Sequence, residues 1–210
     1  MLKLLRKRNF SGFSLTELIV AMLLGSILTV AAYNYFKKQQ RKFVVEKLSG
    51  DVDSMGRIAF FLIGRDIRRA GSNPSQAVPR ALSGQAAAPI PLPIAEPERI
   101  EIKADLNGDN NTTGTDEDIT YQWEDSNADG VKDRIRRDPA AGDLILIENV
   151  NYFHLSYIMA SGAEVDYPNP TSLIKRVRIV MTVNAGRKNP ETGQPITQTY
   201  TTVENLRNFQ

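Results

Sequence analysis

The feature that most constrains this chain is an apolar run from Phe13 to Phe36, "FSLTELIVAMLLGSILTVAAYNYF", with no proline anywhere before Pro74. As a helix at ~1.5 Å per residue the run would be about 36 Å long, enough to span the ~30 Å hydrocarbon core of a bilayer. Glu17 is the one charged residue inside it. A carboxylate at depth in lipid costs ~2.5–3.5 kcal/mol on insertion scales, so it is expected to have a partner. The run itself supplies no cation.

Three readings compete. In the first, the run is a secretory signal peptide, with a basic n-region over residues 1–14 and an apolar core over 18–30. Cleavage would then follow Ala32 in "VAAY". In the second it is a plain signal anchor. Lys3, Arg6, Lys7 and Arg8 before the run are matched by Lys37, Lys38, Arg41 and Lys42 after it, so the positive-inside rule does not fix an orientation. The third reading gives Glu17 a purpose. Cleavage after Gly12 would leave an α-amino group on Phe13, and that cation could meet Glu17 of a neighbouring chain in a packed helical bundle.

The remaining composition narrows the function. The 210 residues carry a net charge of +2, of which the first 12 contribute +4, leaving the rest at −2. That balance does not suit a strongly basic nucleic-acid binder, and no direct nucleic-acid contact is expected. The absence of cysteine excludes a disulfide framework, an iron–sulfur cluster and a thiol nucleophile. The single histidine, His154, argues against a zinc site or a histidine-based triad, and it reads as an ordinary strand residue. No phosphate loop of P-loop or dinucleotide type is present. Glu117 and Asp118 read as solvated loop residues rather than a catalytic dyad, so an enzyme is not expected.

The helical pattern continues past Phe36. Val44, Leu48, Val52, Met55, Ala59, Leu62, Ile63, Ile67 and Ala70 recur at spacings of three and four and predict one buried stripe. Glu46, Asp53, Arg57 and Arg65 fall on the opposite face. Gly50, Gly56 and Gly64 serve either a bend or close packing. "AGSNP" then stops the helix with a Gly and a Pro. One helix of nearly 60 residues from Phe13 is expected.

"SGFSLTELIVAMLLGSILTVAAY" resembles the class III signal of type IV pilins and pseudopilins: a short basic leader ending in Gly, then Phe, then Glu after three intervening residues, then an apolar helix. Gly12, Phe13 and Glu17 match that pattern. The resemblance implies that a membrane prepilin peptidase cuts after Gly12 and N-methylates Phe13. It also implies that Glu17 guides docking into a filament by pairing with a neighbour's N-terminus. "FFLIGRDIRRAGSNP" and the closing "TYTTVENLRN" resemble PilW-type minor pilins. On residues alone, Arg65, Asp66, Arg68 and Arg69 read equally as a solvated charged face favourable at a helix C-terminus.

The fold class expected is α+β, pilin-like, with the long N-terminal helix packed on an antiparallel β-sheet. The organisation predicted is a cleaved leader (1–12), a transmembrane or filament-core half-helix (13–36), an amphipathic half-helix (37–71), a Pro-rich loop (72–98) and a β-sheet domain (99–210). The loop, with Pro74, Pro79, Pro89, Pro91, Pro93 and Pro97, cannot be a helix interior or a central strand. Strands are predicted at 99–104, 118–123, 133–138, 144–150, 152–159, 173–185 and 196–206, with a long turn over 183–195. Val177, Ile179, Met181 and Val183 alternate with Arg176, Arg178, Val180 and Thr182, as in a sheet with one face on the helix. Trp123, Tyr152, Phe153 and Tyr157 read as sheet and core residues.

Two acidic loops are calcium candidates. "DSNADGVKD" places Asp125, Asn127, Asp129 and Asp133 at loop positions 1, 3, 5 and 9, with Gly130 at 6, a pattern calcium loops use. Position 12 is Arg136 rather than a Glu. "DLNGDNNTTGTDED" offers Asp105, Asn107, Asp109 and Asp116, with Asn110 in place of the Gly. The same residue types close β-turns without metal.

The leading functional reading is a minor type IV pilin that enters or primes a pilus. The expected partners are the major pilin, other minor pilins, the prepilin peptidase and the inner-membrane assembly platform. Such a chain starts as a single-pass inner-membrane precursor, with its C-terminal domain outside the cytoplasm, and ends in a surface filament. A minor pseudopilin of type II secretion shares the plan. A secreted or anchored calcium-dependent binding or adhesin domain is the alternative of another class.

Overall fold

The computed structural model of the protein describes residues 12–72, 91–109, 111–139, 142 and 144–206. Most of the expected leader (1–11) and of the Pro-rich stretch (73–90, with Pro74, Pro79 and Pro89) lies outside the described residues. Two compact units emerge, Met1–Val45 and Glu46–Gln210. A single helix, α1 (Leu15–Arg69), contributes to both.

In the first unit α1 begins two residues later than Phe13, because Ser14 takes the cap position: its carbonyl accepts the Leu18 N–H at 3.1 Å. The apolar window is long and apolar enough to cross a membrane, and none of it is buried among the described residues. Two of its hydroxyls, those of Ser26 and Thr29, are satisfied within the helix. Ser26 Oγ donates to the Leu23 carbonyl at 2.7 Å and Thr29 Oγ1 to the Gly25 carbonyl at 2.8 Å. No side-chain polar group of these residues then needs water in an apolar medium.

The second unit packs the C-terminal part of α1 with two four-stranded antiparallel sheets rather than the single sheet expected. The first has the order β1 (Arg99–Lys103), β2 (Asp118–Glu124), β3 (Arg134–Asp138), β4 (Leu144–Glu148). The second has the order β6 (Glu164–Val165), β5 (Val150–Met159), β7 (Ile174–Lys188), β8 (Pro195–Asn205). The switch between sheets occurs at Asn149, the one residue between β4 and β5. Its φ of 60° turns the chain, a conformation Asn tolerates better than most residues. Its carbonyl accepts the Asn184 N–H at 2.8 Å and so anchors the start of β5 beside β7. The turn expected over 183–195 is shorter, because β7 runs on to Lys188 through a register shift after Asn184. The two-residue β6 is too short to leave a sequence pattern.

Alternation decides the sheet faces. Val177, Ile179, Met181 and Val183 are buried, as are Ile100 and Ile102 of β1 and Ile119 and Tyr121 of β2. They join Val52, Ala59, Ile63 and Ile67 of α1 in one core. The helix stripe differs from the predicted one. Met55 is 61% exposed, and the row that packs is Val52, Gly56, Ala59, Ile63 and Ile67. Two glycines set its position. A Cβ on Gly56 would overlap the Tyr200 ring, and one on Gly64 would lie 2.8 Å from Glu204 Oε1. Close approach is therefore their role, whereas Gly50 has nothing within 4 Å.

Candidate functional site

The first candidate site is the start of α1. Gly12 and Phe13 precede the helix, and the Phe13 side chain is 92% exposed. Glu17 has a partner in its own chain that a search for cations overlooks: its Oε2 accepts the Ser14 N–H at 2.9 Å. This is half of a capping box, and the S-x-x-E spacing at 14–17 was there to be read. The other half is replaced by a bond between Ser14 Oγ and Thr16 Oγ1 at 2.7 Å. A carboxylate in the first turn also meets the positive end of the helix dipole. The uncleaved chain thus satisfies one Glu17 oxygen without neutralising its charge.

Residues 7–33 match the family model described as the prokaryotic N-terminal methylation motif. No curated protein matches the chain. The motif supports a type IV pilin or pseudopilin precursor, processed by prepilin peptidase and assembled with other pilins. With the uncovered apolar helix, it fits a membrane-anchored precursor.

The "RDIRRAG" segment is not a solvated face. Asp66 is buried, and its Oδ2 accepts from Tyr121 Oη at 2.8 Å and from Arg137 Nε and Nη2 at 3.2 and 3.1 Å. Its Oδ1 takes Arg65 Nε at 2.8 Å. Arg137 in turn reaches Asp116 at 2.7 Å. Burial pulls the Arg137 guanidinium down, but the Asp116 and Tyr121 contacts outweigh it and hold the group charged; burial raises Tyr121, which stays a neutral donor. Two residues after Asp66, Arg68 pairs with Glu204 of β8 at 2.6 Å. Asp66 therefore ties α1 to the first sheet and Arg68 ties it to the second. Gly71, at φ 71°, ends the helix and donates its N–H to the Lys103 carbonyl of β1 at 2.8 Å.

The acidic loops are organised around their own backbone. Asp125 accepts the N–H groups of Asn127 (3.0 Å), Ala128 (2.8 Å) and Gly130 (2.7 Å). Asn127 accepts from Asp129 N–H at 3.0 Å, and Asp129 from Val131 N–H at 2.8 Å. Asp133 takes the Ser126 N–H and hydroxyl at 2.8 and 2.6 Å. In the first loop Asp105 accepts from Gly108 N–H at 2.6 Å, Asn107 from Asp109 N–H at 2.8 Å, and Asp109 from Asn111 N–H at 2.7 Å. Asp116 is drawn to Arg137 instead. Among the described residues no three His, Cys, Asp or Glu side chains are grouped to hold a metal ion. Glu117 is buried rather than solvated, and it takes the N–H groups of Leu106, Asn107 and Gly114 at 2.9, 3.2 and 3.0 Å.

A turn closed this way predicts a specific pH response. The Asn127, Gly130 and Ala128 N–H groups hold the Asp125 carboxyl below its ordinary value of 3.8, against a smaller opposing effect of burial. The carboxylate's stabilisation is therefore complete above that value and is lost as pH falls through the depressed one. Protection of the Gly130 amide, taken against the intrinsic exchange rate at each pH, should fall over that acid range, and near neutral pH its exchange should be the same in millimolar calcium and in chelator. Slower exchange in calcium would instead show that the loop binds the ion.

Of the aromatic residues, Phe153 and Tyr157 are core, and the Tyr157 hydroxyl donates to the Glu96 carbonyl at 2.7 Å. Tyr152 is 45% exposed and stacks on His154, whose Nε2 lies 3.1 Å from Asp166.

Proposed function

We propose that this chain is the precursor of a minor type IV pilin of PilW type, incorporated into a pilus or priming its assembly. Cleavage would follow Gly12, with N-methylation of Phe13. The observation that carries the reading is the methylation motif at the start of a 55-residue helix whose apolar first part is uncovered. The PilW type is read from the resemblance of "RDIRRAG" to such sequences, and three of its residues, Asp66, Arg68 and Gly71, join the helix to the sheets. Glu17 would exchange its Ser14 N–H for, or share it with, the Phe13 amine of a neighbour. The role is structural rather than catalytic. A type II secretion pseudopilin would use the same signal and helix.

The test is the intact mass and N-terminal peptide of the protein from its native host. A chain beginning with methylated Phe13 is expected. A chain beginning at Tyr33 would show an ordinary signal peptide and end the pilin reading.

A further inference from the structure

The apolar run of α1 ends in a cationic collar. Lys37, Lys38, Arg41 and Lys42 follow Phe36 directly and all are exposed, and between Glu17 and Glu46 the sequence has no Asp or Glu. Among the described residues none of the four has an ion pair. At about 100° per residue, positions i, i+1, i+4 and i+5 cover about 140° of the helix surface. Phe36 and Phe43, 61% and 67% exposed, lie on the opposite side, so the helix is two-faced where it leaves the apolar run. From Leu15 to Phe36 it rises about 33 Å, against ~30 Å of hydrocarbon in a bilayer, which sets the collar at headgroup depth. Tyr33 and Tyr35 fall just inside it, where aromatic rings with a polar tip settle in a membrane. Gln39 Nε2 donates to Tyr35 Oη at 2.8 Å.

We propose that the collar binds the anionic phosphate headgroups of phospholipid in the leaflet at the C-terminal end of the span. The inference rests on the membrane-anchored reading above. Orientation does not explain the collar: Lys and Arg orient a span by an excess on one side, and these four cancel the four of the leader. Folding does not explain it either, since no acid among the described residues meets the four side chains. An anionic lipid surface supplies the missing charge. Arg41 offers a planar fork of donors that fits a phosphate, and the lysines act as point charges around it. Phe36 and Phe43 turn the apolar side of the same segment toward the acyl boundary. Cleavage after Gly12 would remove Lys3, Arg6, Lys7 and Arg8, leaving the collar as the only Lys or Arg between Phe13 and Glu46. The collar then fixes the depth of the mature helix, and entry into a filament means giving up these lipids.

The absence of native cysteine makes the collar addressable. Gln40→Cys, within the collar, is introduced into the full-length chain and labelled with a short maleimide–diazirine linker. The protein is reconstituted in vesicles of equal parts phosphatidylcholine and phosphatidylglycerol, irradiated, and its adducts are counted by mass spectrometry. A short linker at position 40 samples only its own leaflet, so the leader cations beyond the other end of the span do not enter the count. Phosphatidylglycerol adducts should exceed phosphatidylcholine adducts about tenfold, the effect of several cations held at an anionic surface. About half-molar salt should shrink the excess. Exchanging all four cations for Gln should bring the ratio to one, whereas Arg41→Lys, which keeps the charge, should leave a clear excess. The collar is exposed, so the Gln variant should melt like the parent. Equal ratios in parent and Gln variant would overturn the proposal. So would adducts to protein alone, which would assign the collar to acids of a neighbouring chain. A carbonate wash and flotation of the vesicles separate the two readings. A chain that floats with the lipid but shows no phosphatidylglycerol excess sinks the collar alone, and a chain washed off sinks the membrane-anchored reading with it.

Discussion

Asp66→Ala should lower the melting temperature of the full-length protein in detergent by about 6–12 °C, the consequence of losing ~3 kcal/mol in a folded unit of this size. Removing one partner of a buried pair leaves the other charge in a poor dielectric. Here that charge is Arg137, whose side chain is 10% exposed. Its remaining carboxylate, Asp116, is 48% exposed and cannot replace a fully buried one. The Tyr121 hydroxyl loses its acceptor at the same time. The cost should come mostly from stranding these groups, because a buried ion pair has little net value over an apolar pair of similar volume. Asp66→Leu combined with Arg137→Met should therefore recover most of the lost stability, while Tyr121→Phe alone should cost about 1 kcal/mol. Asp66→Ala melting within a degree or two of the parent would show that the cluster does not hold the helix to the sheet.

The same cluster shows where sequence reading stops. The N-terminal signal was legible because it depends on residue types at fixed short spacings: Gly12, Phe13, Glu17, then an apolar run. The strands were legible because alternation is local, as at Val177, Ile179, Met181 and Val183. Asp66 was not, since its partners Tyr121 and Arg137 lie 55 and 71 residues away and nothing near Asp66 marks it as buried. The division into two sheets was hidden for a related reason. It turns on the backbone of a single residue, Asn149, which falls inside the predicted strand 144–150. Met55 was misplaced because two stripes overlap in the sequence, and a count of apolar positions merges them. The glycines at 56 and 64 carried the information that separates the two, but their meaning depends on Tyr200 and Glu204 far along the chain. Glu17 is the opposite case, since its bond to Ser14 was readable from four consecutive residues.

That bond makes Glu17→Gln the decisive substitution at the N-terminus. Two roles compete for this carboxylate, helix cap and ion-pair partner, and the two make different demands. A cap needs only an oxygen within reach of the Ser14 N–H, and the Gln side-chain carbonyl provides one. An ion pair with a neighbour's Phe13 amine needs the negative charge. In lipid the neutral side chain is also cheaper to insert, so membrane insertion should not suffer. Glu17→Gln should therefore leave precursor insertion and the start of α1 intact, while its copy number in isolated filaments falls by roughly a hundredfold or more. That factor corresponds to the ~3–5 kcal/mol lost when one member of a buried pair is removed. Glu17→Ala should match it in filaments and also loosen the first helical turn. The measurement is quantitative mass spectrometry of sheared filaments against total membrane protein. Equal incorporation of Glu17→Gln and the parent would mean that the carboxylate serves its own helix alone, and the pairing with a neighbour's amine would have to be abandoned.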